Sequence, residues 1–427
     1  MYERRLVKDY FIHEKEKIHN LKIIDRELKV EFIEGKAIAI VGPRRSGKTF
    51  FLKSFSLKQN VFFYIDFENI IFKKILPHEI FEIISIYNEI FGDSPSLLLL
   101  DEIQNLPEWQ SVVRALLERD YKLLISGSSS KLLSMEIGTQ LRGRSLSYLL
   151  LPFSFREFLH IKDFKLERYL TLENEGKVKN FLREYIEGSS YPEVLITGNE
   201  RILGEYYNTI LYTDFVERFK LKSLEVARFI FNFFIQNFSN EFSINKIANF
   251  LSSQGIKFGK ETVYEYVEKL PETLNVFFIE RYEKSIYKRK AWPRKCYVCD
   301  WGLSKLLRFE KDYGKIMENI VFLELKRKMN ENPFLDITYL KINKGEVDFV
   351  IREGLKVKHL IQITYAHSKD ELEKREIKSL LKASELLRCK DLLIITWDYE
   401  DLLKLNDSEI KCIPLWKWLL KIEQTPK

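Results

Sequence analysis

Gly42-Pro43-Arg44-Arg45-Ser46-Gly47-Lys48-Thr49 decides the fold of the first third of this chain. The stretch has the spacing G-x-x-x-x-G-K-[ST], with the apolar run Ala37–Val41 before it and a helix-compatible segment after it. The chemistry explains the spacing. Gly42 and Gly47 let the backbone curl until its N–H groups converge on phosphate oxygens. The N-terminus of the next helix adds the positive end of its dipole. In such a loop Lys48 reaches the terminal phosphates of a nucleotide and the Thr49 hydroxyl ligates Mg2+. Pro43, Arg44, Arg45 and Ser46 complete the nucleotide-binding stretch, with Arg44 and Arg45 solvated or structural.

Leu97-Leu98-Leu99-Leu100-Asp101-Glu102 reads as the second half of that site. Four leucines make a buried central strand, and its C-terminal end presents two carboxylates to the phosphates. Asp101 is expected to orient the Mg2+ shell and Glu102 to polarise the attacking water. The next strand, Leu123–Ser126, ends in Ser126-Gly127-Ser128. A serine there either hydrogen-bonds the terminal phosphate or the attacking water, or merely caps a helix. Ser126 and Ser128 are the two candidates. Leu141-Arg142-Gly143-Arg144 precedes the fifth strand. Its arginines either pair on the surface or reach a neighbouring subunit's nucleotide, Arg144 ahead of Arg142. With Val61–Asp66 and Leu146–Leu150, five short apolar runs alternate with helical patterns, which indicates a parallel sheet covered on both faces.

Working outward, 427 residues suggest about three domains at roughly 150 residues each. Apolar residues at 45% and aromatics at 14% supply ample core and exclude a largely disordered chain. A net charge of +7 favours a localised basic surface over a uniformly cationic protein. Four cysteines exclude a disulfide scaffold. No apolar run approaches the roughly 18 residues of a membrane span, and Met1–Lys17 is too charged for a signal peptide. The expectation is a cytoplasmic protein without membrane contact.

Three stretches resemble the AAA+-superfamily P-loop ATPases of archaea and bacteria that carry a winged-helix module and a C-terminal restriction-endonuclease-like domain. They are the phosphate loop, Leu97 through Trp109, and Leu141-Arg142-Gly143-Arg144-Ser145 followed by Leu151-Pro152-Phe153-Ser154-Phe155-Arg156-Glu157-Phe158. Gly188-Ser189-Ser190-Tyr191-Pro192-Glu193 adds to the likeness. The resemblance implies ATP as the nucleotide and a multidomain α/β chain. Its expected parts are a P-loop ATPase core with a parallel sheet (1–153), a helical lid (154–226), a winged helix (227–305) and a restriction-endonuclease-like α/β domain (306–427).

Ser243–Leu251 and Lys260–Val267 have the layout of a helix-turn-helix, and the strands Val276–Tyr282 and Lys295–Asp300 follow as a hairpin. The connecting loop holds Lys284, Lys288, Arg289, Lys290, Arg294 and Lys295, interleaved with Tyr287 and Trp292. Such a wing suits DNA backbone contacts; the alternatives are a protein-interaction module or a merely solvated loop. Cys296 and Cys299 are three apart on a strand, poor geometry for one metal, and read as core. In the last segment Glu318 and Glu324 on a helix, then Glu346 and Asp348 on a strand, follow a nuclease order. Gln362 and Thr364, however, stand where a second acid and a lysine belong, so an inactive nuclease relic is expected.

Three functions fit these residues. The first is an ATPase that remodels or translocates on duplex or branched DNA as a homo-oligomer, a ring being one form that Arg144 acting in trans allows. The second is a slow nucleotide switch acting on a protein partner. The third is an ATP-fuelled metal nuclease.

Overall fold

The computed structural model describes residues 3–127, 141, 143–167, 170–308, 310–342, 345–405 and 408–422. Ser128 and Arg142 lie outside the described residues. The chain forms two compact units, Met1–Pro152 and Phe153–Lys427.

In the first unit the apolar runs become β1 (Ala37–Val41), β2 (Tyr64–Asp66), β3 (Leu97–Asp101), β4 (Lys122–Gly127) and β5 (Ser145–Leu149). They pair in parallel in the order β2-β3-β4-β1-β5. Every residue of β1 and β3 is buried, as parallel strands covered on both faces require. Because all five strands run the same way, Val41, Asp66, Asp101 and Ser126 share one edge of the sheet. Among the described residues, α1 (Arg4–His19), α2 (Lys48–Gln59), α3 (Glu79–Phe91) and a further helix over Trp109–Leu117 pack against this layer or one another. Despite its dense charge, α1 buries Val7, Tyr10, Phe11 and Ile18, with Phe11 edge-on to Tyr87 at 5.2 Å.

The second unit begins with helices. Ser154 and Glu157 form a capping box at the start of a helix over Phe155–Ile161. Residues 224–298 then give a helix (Leu224–Gln236), β6 (Asn240–Phe242), α4 (Ile244–Ser253), α5 (Lys260–Lys269) and the antiparallel pair β7 (Val276–Ile279) and β8 (Arg294–Val298). The short strand β6 pairs with β8, completing a three-stranded sheet. The link between β7 and β8 is not all loop, since Ile286–Ala291 is helical.

A six-stranded mixed sheet follows. Its members are β9 (Leu335–Ile342), β10 (Gly345–Glu353), β11 (Lys356–Ile363), β12 (Leu392–Thr396), β13 (Asp401–Leu405) and β14 (Ser408–Pro414), in the order β13-β14-β12-β11-β10-β9. Strands β13 and β14 were not read from the sequence. Only Leu403 of β13 and Ile410, Cys412 and Pro414 of β14 are buried, so neither has the unbroken apolar run that betrays a central strand. Beside the sheet lies α6 (Tyr313–Lys328), buried continuously from Ile316 to Leu325.

A buried acid organises the start of this unit. Asp300 is fully buried, and its Oδ2 accepts hydrogen bonds from the Ser189 hydroxyl (2.9 Å), the Ser190 hydroxyl (2.7 Å) and the Ser190 backbone N–H. Next to it, Trp301 Nε1 donates to the Ile186 carbonyl at 2.8 Å. Gly302 leaves room for this knot: a Cβ there would stand 2.7 Å from Asp300 Oδ1 and from Ser189 Cβ. Replacing Asp300 by Ala strands three buried donors. Chemical denaturation of Asp300→Ala is expected to show a loss of about 2–4 kcal/mol, with the near-ultraviolet signal of the first unit unaffected.

Candidate functional site

The phosphate loop leaves β1 at Val41 and enters α2 at Lys48. Gly42 cannot be replaced without cost, because a Cβ there would lie 2.1 Å from the Leu150 carbonyl oxygen. Gly47 has φ +94°, and Arg45 also takes a left-handed backbone at φ +67°. Lys48 is buried, and its Nζ donates to the carbonyls of Gly42 (3.2 Å) and Pro43 (3.1 Å). Ser46 is buried, and among the described residues its hydroxyl oxygen has no hydrogen-bond partner. Thr49 follows in the first turn of α2, half-buried. Arg44 lies 3.8 Å from Glu68, while Arg45 is exposed.

Asp101 ends β3, buried, one strand from Ser126 on β4. Its Oδ2 accepts from the Tyr64 hydroxyl at 2.8 Å, and its Oδ1 accepts from the Ser126 hydroxyl. The same Ser126 oxygen accepts from the Glu102 backbone N–H at 3.1 Å. Ser126 is thus spent on the two acidic residues. Glu102 takes φ +49°, which turns its side chain to within 3.9 Å of Lys48 Nζ. Gln104 Nε2 donates to Glu102 Oε2 at 2.5 Å. Sequence reading missed Tyr64, Asp66 and Glu68, which complete this edge. Burial first, then the charges of Asp101, Glu68 and Glu102, push the Asp66 carboxyl up to about 6. Glu68 is raised by burial and by Glu102. Register was the available signal, since Asp66 pairs with Asp101 across β2 and β3.

These residues fit a magnesium nucleotide. A cradle too tight for a Cβ, an orphaned buried hydroxyl, a lysine on loop carbonyls and an excess of carboxylates share one sheet edge. Arg144 lies elsewhere. It precedes β5, whose Ser145 pairs with Ala37 at the start of β1, so it stands at the opposite edge from the loop. It is exposed and pairs with Glu118 at 2.9 Å.

The basic residues of the expected wing divide. Lys284, Lys288 and Lys290 are exposed, as is Tyr287. Arg289 Nε donates to the Glu283 carbonyl at 2.6 Å, and Arg294 pairs with Glu268 at 2.7 Å. Lys295 corrects the sequence reading. It is 2% exposed and cannot touch DNA from the surface, because strand alternation turns it inward beside the outward Arg294. Its Nζ lies 2.8 Å from Glu346, 2.9 Å from Glu318 and 3.0 Å from Asp348. Glu324, expected near that set, pairs instead with Arg156 and Arg327. Cys296 and Cys299 are free and buried.

Comparison with known proteins adds the following. A family profile described as AAA domain matches residues 34–159, and one described as a domain of unknown function matches 179–312. An uncharacterized protein of Methanocaldococcus jannaschii is 38% identical over 418 residues, covering 93% of this chain and 91% of that one. A Haemophilus influenzae protein is 25% identical over 412 residues, covering 92% and 96%. Among solved structures, AMPPCP-bound DnaA from Aquifex aeolicus is 18% identical with a TM-score of 0.23, covering 60% of this chain and 85% of that one. The Thermotoga maritima RuvB Holliday junction branch migration motor is 14% identical with a TM-score of 0.25, covering 68% and 95%. Scores this low carry no argument. Among the described residues no helix is long and apolar enough to cross a membrane.

One titration is open to measurement. Burial, then Asp348 and Glu373, push the Glu376 carboxyl up to about 7, above its ordinary 4.5. A raised carboxyl stabilises the fold fully below the unfolded value and loses that contribution as pH rises through the folded one. Relative to Glu376→Gln, wild-type stability should therefore fall between about pH 4.5 and pH 7 and stay level above pH 8. Paired urea melts across that range check it.

Proposed function

We propose, from the premise that the chain belongs to one family with the M. jannaschii protein and carries an AAA+ P-loop ATPase domain, that it hydrolyses ATP to drive conformational change on DNA. The observation that carries the hydrolytic part is the meeting of Lys48, Asp101 and Glu102 at one sheet edge, with Glu102 3.9 Å from Lys48. Gly42, Pro43, Arg44, Arg45, Ser46 and Gly47 wrap the phosphates with backbone N–H groups. Lys48 exchanges its hold on the Gly42 and Pro43 carbonyls for phosphate oxygens. Thr49 and Asp101 would hold Mg2+, which when bound neutralises phosphate charge. Tyr64 and Ser126 fix Asp101. Glu102, aimed by its left-handed backbone and by Gln104, orients the attacking water and takes its proton.

Arg144 stands too far along the sheet to reach its own chain's phosphates. An exposed arginine in that place serves a neighbour's nucleotide, which makes a homo-oligomer, closed as a ring, the working form. For the rest of the chain we read 154–226 as a helical lid, 227–305 as a winged helix and 306–427 as a restriction-endonuclease-like domain without nuclease activity. The DNA face is Lys284, Lys288, Lys290 and Tyr287, with Arg289 and Arg294 behind them. Such contacts are to the backbone and carry little sequence preference.

A slow switch acting on a protein partner is the second reading. It is favoured by the ion pair that occupies Arg294, which leaves fewer cations for phosphate. Turnover separates the two. With linear, single-stranded and branched DNA across a salt series, the ATPase on DNA should turn over at about 1 s⁻¹ or faster with one form. Salt should weaken the stimulation, and Glu102→Gln should lower kcat by about 100-fold or more while ATP still binds. Slow turnover indifferent to every DNA would give the second reading.

A further inference from the structure

The nuclease-like order of acids in the last segment implies a divalent cation, but the residues present do not fit one. Among the described residues no group of three His, Cys, Asp or Glu is arranged to hold a metal ion. Gln362 stands one step beyond the Phe349–Ile361 pair, across β10 and β11 from Asp348, and gives a neutral amide where an acid would be needed. Asp348 Oδ2 is already committed to the Ile363 backbone N–H at 2.9 Å. Tyr297 donates its hydroxyl to Glu318 at 2.6 Å.

The centre of the cluster is filled by the Lys295 ammonium, with three carboxylate oxygens at 2.8–3.0 Å. Those are ammonium distances; Mg2+ or Mn2+ would need oxygens nearer about 2.1 Å. The charges are also shared outward: Lys341 lies 3.4 Å from Glu346 and 2.7 Å from Glu241. Glu241 is the residue paired with Lys295 across β6 and β8.

We propose that Lys295 is the resident cation of the Glu318, Glu346 and Asp348 cluster, that it excludes a divalent ion, and that it fastens β8 to α6 and β10. A side chain cannot diffuse away, so one positive charge is held permanently among the three carboxylates. Removal of Lys295 leaves three carboxylates in a lysine-sized space, which becomes a site for an external divalent cation. It is independent of the reading of the nucleotide site.

Mn2+ serves as the probe, with nucleotide-free full-length protein. Bound Mn2+ is counted from the loss of the free-ion electron paramagnetic resonance signal, and Tm is read in parallel. Wild type and Asp348→Asn should bind the same number of ions. Lys295→Met should melt below wild type in chelator, gain one bound ion, and recover several degrees in Mn2+; Lys295→Met with Asp348→Asn should recover nothing. A wild-type ion lost in Asp348→Asn overturns the proposal, as does a folded Lys295→Met indifferent to Mn2+. Should Lys295→Met fail to fold, the wild-type and Asp348→Asn counts decide.

Discussion

No side chain fits between residue 42 and the Leu150 carbonyl. That exclusion sets the phosphate loop. The chain leaves β1 and must turn at once, pressed against the residue that follows β5. Leu150 N–H donates to the Val41 carbonyl at 2.7 Å, which draws the two strand ends together. Arg26 locks the closure from outside, donating to the Ser46 carbonyl at 2.8 Å and the Leu151 carbonyl at 2.6 Å. A backbone held this close aims its N–H groups at one point, and it places Lys48 within reach of the loop carbonyls and Glu102.

Strand order does the rest. With β4 between β1 and β3, the hydroxyl of Ser126 stands between the loop and the acids and orients both Asp101 and Glu102. Burial first, then the like charges gathered at this edge, push the Asp66 carboxyl up to about 6. In the site proposed above, these carboxylates would gain if a cation arrived with the nucleotide.

The first unit was largely legible because its strands are unbroken apolar runs and its chemistry sits in two contiguous motifs. What escaped reading depended on register or on tertiary cover. Tyr64 and Asp66 matter only because β2 pairs with β3. Helix α1 hid its apolar face among charges. Lys295 was misread because a run of basic residues was taken as one surface, though alternate strand positions face opposite ways. Glu318, Glu346 and Asp348, distant from the basic run in the sequence, meet Lys295 only in the fold. Arg144 could be placed in the sequence, but only the sheet shows that it lies at the far edge from its own loop.

The central claim, that a backbone cradle closed at Gly42 binds the nucleotide, is tested most directly by isothermal titration of ATP with Mg2+ into wild type and Gly42→Ala. The expected result is one ATP per wild-type chain and at least about tenfold weaker binding by a folded Gly42→Ala, a loss of about 1.4 kcal/mol or more. Equal affinity of the two proteins would contradict it.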